Sequence, residues 1–261
     1  MRLQGKVVIV TGSTTGIGKA IAKKCVSEGA KVMIHGLEKD LGDEVVRDLG
    51  ESHASLFIRD LHEPEVVNQL IGFTIKTFGK LDALVNNAAK QGSANIETTD
   101  AQLFREFIEI NTIVPFLLIQ GALPYLKSTK GCVLNIGSVN AYAGEPNLLP
   151  YSVSKGALMT LTRNLGDSLF RDYHVRVNQI NPGWVLTETE MARRKSQGFG
   201  DDWFTKLPYI PSQRILYPEE IANAAIYWLE DASGPISGQV VDLEQFPFIG
   251  RNPPKNIFTL K

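Results

Sequence analysis

Cysteine is scarce in this chain: Cys25 and Cys132 are the only two among 261 residues. Two thiols so far apart make no disulfide framework and no metal-ligand spacing. Both stand in apolar segments and are expected as small buried hydrophobes. Histidine is scarce too. His35, His53, His62 and His174 form no ligand pattern, so no metal is expected. No charge of either sign dominates: a formal net charge of −1 and a pI of about 6.4 argue against a nucleic-acid footprint or a basic membrane surface. No apolar run reaches the ~18 residues of a membrane span. The apolar run in Lys6-Val-Val-Ile-Val-Thr-Gly12 is too short for a signal peptide and no cleavage site follows, so the cytosol is the expected compartment. Ser/Gly tracts, charge blocks and internal repeats are also missing. One domain over 1–261 is therefore expected, with a substrate-binding lid at about 184–217 and a C-terminal tail at about 246–261.

What is present is a rhythm. With 43% hydrophobic residues the chain can bury a sizeable core, and disorder is excluded. Short β-branched runs at Lys6–Thr11, Lys31–His35, Ala54–Ile58, Leu81–Asn86, Gly131–Gly137, Val175–Ile180 and Gln239–Leu243 read as buried strands. Helical stretches separate them: one opening near Gly18 with Ile17, Ile21 and Cys25 inward, one at 38–49, and one from Glu63 to Phe78. A longer one runs from Asp100 past Pro115 to Tyr125, another begins at Pro150, and a last begins at Pro218-Glu-Glu. Alternation of this kind predicts βαβ units: an α/β, Rossmann-type, doubly wound parallel sheet of about seven strands with helices on both faces.

Two stretches carry chemistry. In Tyr151-Ser-Val-Ser-Lys155 the phenol and the ammonium are four residues apart, on one face of a helix turn. Leu158, Leu161, Leu165 and Leu169 continue it as a buried stripe. A phenol titrates near pH ~10, so acid–base work near neutrality needs a shift of roughly 3 units, about 4 kcal/mol. One ammonium ~4 Å away, at an effective dielectric of ~20, supplies about that much. A solvated surface pair is the competing reading. The second stretch is Thr11-Gly-Ser-Thr-Thr-Gly-Ile-Gly18, between the first strand and the first helix. Glycines there let a backbone approach a pyrophosphate, and the helix amino terminus favours the anion. A plain tight turn is the bland alternative. A mononucleotide P-loop fails, because Ser13 stands where its first glycine belongs and Ala20 where its hydroxyl belongs.

Taken with these stretches, Asp60 after the third strand, Asn86-Asn87-Ala88-Ala89, Asn111, Ser138 and Pro182-Gly183 with Thr187 complete a set in a fixed order. The chain resembles the short-chain dehydrogenase/reductase family, in its compact single-domain branch, from about Leu3 to Leu243. The departures are Ala89 for a glycine, Val153 for an alanine, and Val241-Asp-Leu-Glu in place of Val-Asp-Gly-Gly. The resemblance implies hydride transfer between a nicotinamide and a carbinol or carbonyl carbon. It implies Tyr151 as general acid/base and Lys155 as the group lowering its pKa and bonding the nicotinamide ribose. It further implies Ser138 holding the reacting oxygen and Asn111 holding a water that links Lys155 to solvent. A turn cap for Ser138 and a backbone-satisfied bend for Asn111 are the alternatives. Cofactor contacts are implied for Gly12, Thr14, Thr15, Gly16, Ile17, Gly18, Asp60, Leu61, Asn87, Ala88, Ala89, Tyr151, Lys155, Pro182, Gly183, Val185 and Thr187.

At the end of the second strand the acid that would grip an NAD ribose falls on Gly36, and the arginine that would take an NADP phosphate falls on Leu37. Neither signal is there. Thr15 is uncharged as well, so NAD is favoured over NADP, with Lys39 or His35 able to reverse this. Substrate walls are expected from Gln91–Asn95, Val139–Asn147 and Trp184–Tyr217. They bring Tyr142, Trp184, Trp203, Phe204 and Tyr209 together with Gln91, Asn140, Glu145 and Arg214. That mixture suits a polyol, sugar or hydroxy acid, or a 3-oxoacyl-type carbonyl, better than a steroid. The partners expected are the small substrate and copies of the chain, as a dimer or tetramer through the fourth and fifth helices, with no nucleic acid and no membrane. A non-catalytic dinucleotide sensor is the rival class, and such a protein would be expected to lack the tyrosine or the lysine. An epimerase of the extended branch would need a larger C-terminal domain than the residues after the long loop allow.

Overall fold

The computed structural model describes residues 1–245 apart from 64, 206, 208 and 209. Tyr209 and the expected tail, with Pro247, Pro253 and Pro254, lie outside the described residues.

Seven strands form one parallel sheet: β1 (Val7–Val10), β2 (Lys31–Gly36), β3 (Ala54–Ile58), β4 (Ala83–Asn86), β5 (Cys132–Ile136), β6 (Arg176–Pro182) and β7 (Val240–Leu243). Their order across the sheet is β3-β2-β1-β4-β5-β6-β7. Strand side chains alternate between two cores, as the period of two requires. Val8, Val10, Val32, Ile34, Ala83 and Val85 face helices α1 (Gly16–Ser27) and α9 (Pro218–Leu229). Ile9, Met33, Leu84 and Val133 face α3 (Val66–Phe78), α5 (Val114–Thr129) and α7 (Leu149–Tyr173). Cys25 and Cys132 sit in the first core, free and fully buried, and burial pushes both thiols up. They act there as small hydrophobes. The sheet order reverses direction beside β1, so the carboxyl ends of β1 and β4 part to leave the crevice where open α/β sheets hold ligands.

Three elements depart from expectation. The helix read over Asp100 to Tyr125 is α4 (Ala101–Ile108), a π-turn over Glu109–Ile113, and then α5. Pro115 has no N–H to give the carbonyl of Asn111, so the regular ladder cannot run through this point. The helix expected from Glu63 begins at Val66, because Glu65 lies at φ 68, outside helical space. On α7 the buried face is Lys155, Leu158, Thr162, Gly166 and Leu169, whereas Leu161 and Leu165 are only half-buried. Stretch 101–129 is also long and apolar enough to span a bilayer by length and composition. Here Val114, Leu118, Ile119, Ala122 and Leu126 pack into the second core, which accounts for that apolarity.

Gly166 explains the shifted face of α7. A Cβ there would fall inside 3.0 Å of the Gly238 backbone and of the Val177 carbonyl oxygen, so helix and sheet touch backbone to backbone. Gly72, on the solvent side of α3, has nothing within 4 Å. Gly166→Ala should therefore destabilise by about 1–3 kcal/mol through overpacking. Gly72→Ala should stabilise by roughly 1 kcal/mol through helix propensity. Urea unfolding of both variants checks this, and equal midpoints would contradict the close packing.

Candidate active site

The glycine turn between β1 and α1 is held from three sides. Gly12 and Gly16 take φ 60 and 53, and a Cβ on Gly18 would lie inside 3.0 Å of the Gly12 carbonyl oxygen. Asn87 Nδ2 donates to the carbonyls of Thr11 and Gly12, each at 2.9 Å. The amides of Asn87 and Ala88 both donate to Thr11 Oγ1 at 3.0 Å. From β2, His35 Nδ1 accepts the Gly12 N–H at 3.3 Å, and its Nε2 faces the Arg59 carbonyl at 3.1 Å. That pairing requires the neutral Nε2–H tautomer. Burial agrees, taking the ring down to about 4. His35 is thus a neutral strut and brings no positive charge to this loop.

The Gly16 amide, at the amino terminus of α1, donates to Glu188 Oε2 at 2.9 Å. Glu188 opens helix α8 (Glu188–Ser196), so a carboxylate occupies the point where the free amides and dipole of α1 favour an anion. Thr187 caps α8 by accepting the Glu190 N–H at 3.2 Å, and it also packs on Gly16.

Beyond the loop, one cleft is lined by Ile17, Asn87, Ala89, Gln91, Ile136, Gly137, Ser138, Tyr151, Lys155, Pro182 and Gly183. The first turn of α7 and the carboxyl ends of β4, β5 and β6 bring these together. Lys155, 2% exposed, donates from Nζ to the Ile136 carbonyl at 2.8 Å, and burial lowers its pKa to about 8. Its ammonium lies 5.8 Å from the centre of the Tyr151 ring. The Tyr151 phenol is raised above its ordinary value, because burial outweighs the opposing Ser138 hydroxyl. This reverses the expected direction: Lys155 is committed to a carbonyl, and desolvation governs the phenol.

Asn111 lines no part of the cleft. Its Oδ1 accepts the Lys90 N–H at 2.8 Å, and its Nδ2 donates to the Lys90 carbonyl at 3.0 Å and to Ser154 Oγ at 2.9 Å. Both N–H groups are used, so the amide tethers the π-turn to the loop after β4 and to α7. Ser138 does cap a turn, accepting the Asn140 N–H at 3.2 Å, yet it also lines the cleft.

The sequence profile described as short chain dehydrogenase matches residues 6–198. The chain belongs to the short-chain dehydrogenase family. A Thermotoga maritima protein named only as an uncharacterized oxidoreductase is 36% identical over 94% of this chain and 98% of its own length. The NADP-dependent (R)-specific alcohol dehydrogenase of Lentilactobacillus kefiri is 32% identical over 89% of this chain and 92% of its own. The L-fucose dehydrogenase of Bos taurus is 35% identical over 89% of this chain and 86% of its own.

The other residues that the resemblance to this family puts at the cofactor differ in their burial. Leu61 and Val185 are buried, one in each core. Asp60 accepts the amide and ring N–H of His62, both at 3.0 Å, which holds its carboxyl below the usual range. Gly36 packs on Thr14, and Leu37 is 59% exposed. The described members of the expected aromatic wall do not line the cleft. Trp184, Trp203 and Phe204 pack with Leu207, Ile210 and Ile215 into a small core of their own, and Arg194 lies over Trp184 at 4.8 Å. Tyr142 neighbours Asn181 and Asp242, and Arg214 is paired with Glu220. Among the described residues of that set, Gln91 alone lines the cleft.

Sequence reasoning missed Glu38. Its Oε2 accepts the Thr14 hydroxyl proton at 3.2 Å, which sets a carboxylate beside the glycine turn at the end of β2. The acid lies two residues past the position where one was sought, so a search over the next few residues could have found it. Glu188 was missed as well, and no local signal marks it, because it reaches Gly16 only through the fold.

Proposed function

We propose that this short-chain dehydrogenase transfers a hydride between a nicotinamide dinucleotide, preferably NAD, and the secondary alcohol or ketone of a small polar molecule. The observation that carries the reading is the gathering of Ser138, Tyr151 and Lys155 around one cleft, beside the glycine turn. The turn fits a dinucleotide: a Cβ at Gly12 or Gly18 would meet backbone, and the anion position at Gly16 already attracts a carboxylate. The nicotinamide supplies or accepts the hydride. Gly12, Gly16 and Gly18 would hold its pyrophosphate, and Ile17, Pro182 and Gly183, which line the cleft, would hold its ring.

Tyr151 holds the proton that moves. With its phenol raised by burial it is protonated near neutrality and gives that proton from Oη to a carbonyl oxygen. In the reverse direction it must first lose the proton, so alcohol oxidation should quicken as pH rises. Ser138 holds the same oxygen from the side. Lys155, mostly protonated below about 8, keeps positive charge near the phenol and is aimed by its bond to Ile136. Tyr151→Phe should lower turnover by about a hundredfold to ten-thousandfold and leave NADH binding unchanged. Turnover at the native rate would remove the assignment.

Glu38 supports the preference for NAD, since a carboxylate accepts from a ribose hydroxyl and repels a 2′-phosphate. The Lentilactobacillus kefiri relative, named as NADP-dependent, pulls the other way, so the preference rests on Glu38. A small polar substrate fits a cleft whose aromatic neighbours are turned away, and the relative named as an L-fucose dehydrogenase points to the same class. NADH should bind more tightly than NADPH, with Glu38→Gln narrowing the gap by roughly tenfold, one charge-assisted hydrogen bond's worth. Polyols, sugars and hydroxy acids should be turned over with NAD. Equal affinities for the two cofactors, or turnover of bulky apolar alcohols alone, would contradict these two points.

The chain self-associates through α5 and α7, where Phe116, Leu117 and Val153 are 38%, 36% and 43% exposed and Ile113, at the end of the π-turn before α5, is 38% exposed. Light scattering should report a dimer or tetramer that Phe116→Glu dissociates. A native protein that runs as a monomer would end this reading.

A further inference from the structure

A row of buried polar side chains crosses the carboxyl ends of the strands behind the cleft. Asn86 Nδ2 donates to Asn135 Oδ1 at 2.8 Å, and Asn135 Nδ2 donates to Thr162 Oγ1 at 2.8 Å. Thr162 Oγ1 lies 2.8 Å from Gln179 Oε1, and Gln179 Nε2 donates to Asn181 Oδ1 at 2.7 Å. Asn181 Nδ2 donates to Asp242 Oδ1 at 3.0 Å. Strand register makes the row possible: Asn86 pairs with Asn135, Asn135 with Gln179, and Asn181 with Asp242. From Asn86 to Asp242 every bond can point one way. A carboxylate only accepts, so Asp242 turns the Asn181 amide nitrogen toward itself and its oxygen inward.

That oxygen meets the active-site loop. Asn181 Oδ1 accepts the Ser138 N–H at 3.1 Å, while the flanking Gly137 and Val139 amides donate to the carbonyls of Ile180 and Pro182. Asn181 is fully buried, and a Cβ on Gly137 would fall inside 3.0 Å of its Oδ1, so the absence of a side chain at 137 admits the contact. We propose that Asn181, with its amide oriented by Asp242, is a positioning residue that sets Ser138 against the Tyr151 phenol. The inference rests on the reading that Ser138 holds the reacting oxygen. Tyr142 is the titratable group that faces Asp242, and it also interacts with Arg163 and hydrogen-bonds Asn181. Tyr142 sits on the short helix Asn140–Ala143 and Arg163 on α7.

The test uses the full chain, NADH, and the fastest substrate from the polyol, sugar and hydroxy-acid panel. Asn181→Asp places two carboxylates face to face, and Asn181→Leu removes both of the amide's roles. Each should lower kcat by about tenfold or more, the scale of one charged hydrogen bond, with the NADH dissociation constant within about twofold of native. The pH at which alcohol oxidation rises should also move upward, because the Ser138 hydroxyl no longer helps the phenol ionise. The exchange N181D/D242N rebuilds donor facing acceptor with the two groups interchanged, and should recover kcat to within about threefold of native. A merely structural role predicts lost NADH binding and no displaced pH profile. Native kcat in both single variants, or an exchange no better than N181D, overturns the proposal. Ser138→Ala separates the two readings. If it is fully active, the role of Ser138 itself fails; if it is impaired while the Asn181 variants are native-like, only the positioning role fails.

Discussion

An ammonium buried to 2% exposure at the end of β5 must have a partner, and the Ile136 carbonyl is that partner at 2.8 Å. Much else in the structure depends on this contact. It fixes the rotation of α7 about its axis, which in turn puts Tyr151 one turn away on the same side as the cleft. Leu158, Thr162 and Gly166 then follow against the sheet. Thr162 is accepted in that face because its hydroxyl meets Gln179 as well as the Leu158 carbonyl. Gly166 is accepted because the Gly238 backbone and the Val177 carbonyl of β6 approach too closely for any side chain.

A division of labour within single strands keeps the site apart from the core. The middles of β1, β2, β4 and β5 are apolar and buried on both faces, which ties the sheet to its two helical layers. Polar residues gather toward the carboxyl ends: Thr11 just past β1, Asn86 on β4, Asn135 on β5, and Gln179 and Asn181 on β6. Buried polar groups are costly unless bonded. Here they bond to one another and to the loops that carry the site. Among these strand-end groups the Asn86 Oδ1 atom is the exception, buried with no partner; elsewhere among the described residues Trp203 Nε1 is in the same position.

Around the glycine turn the protein's own charge is negative, with no cation beside it in the bonds that hold the turn. His35 is held neutral between the Gly12 amide and the Arg59 carbonyl, where it supports the turn without adding charge. Glu38 and Glu188 place carboxylates at either side of that turn, one on Thr14 and one on the Gly16 amide. The helix amino terminus is thus already satisfied by an anion from the protein's own chain, and a pyrophosphate must compete with Glu188 for it.

The alternation of β-branched runs with helical periods settled the sheet and its two covered faces. The glycine spacing and the Tyr151–Lys155 interval marked both ends of the cleft, because each is a short-range pattern set by neighbouring residues. Longer-range facts were not legible. The π-turn at Glu109–Ile113, the use of Asn111 as a tether, the closure of Trp184 and Trp203 on each other, and the raised phenol of Tyr151 all depend on packing between distant segments. So do Glu188 on Gly16 and Asn181 on Ser138, 172 and 43 residues apart in the chain. Local sequence dictates which residues can form a strand, a turn or a helix face. What a buried side chain bonds to, and in which direction its pKa moves, belongs to the tertiary structure, because desolvation and hydrogen bonding arise only where separate parts of the chain meet.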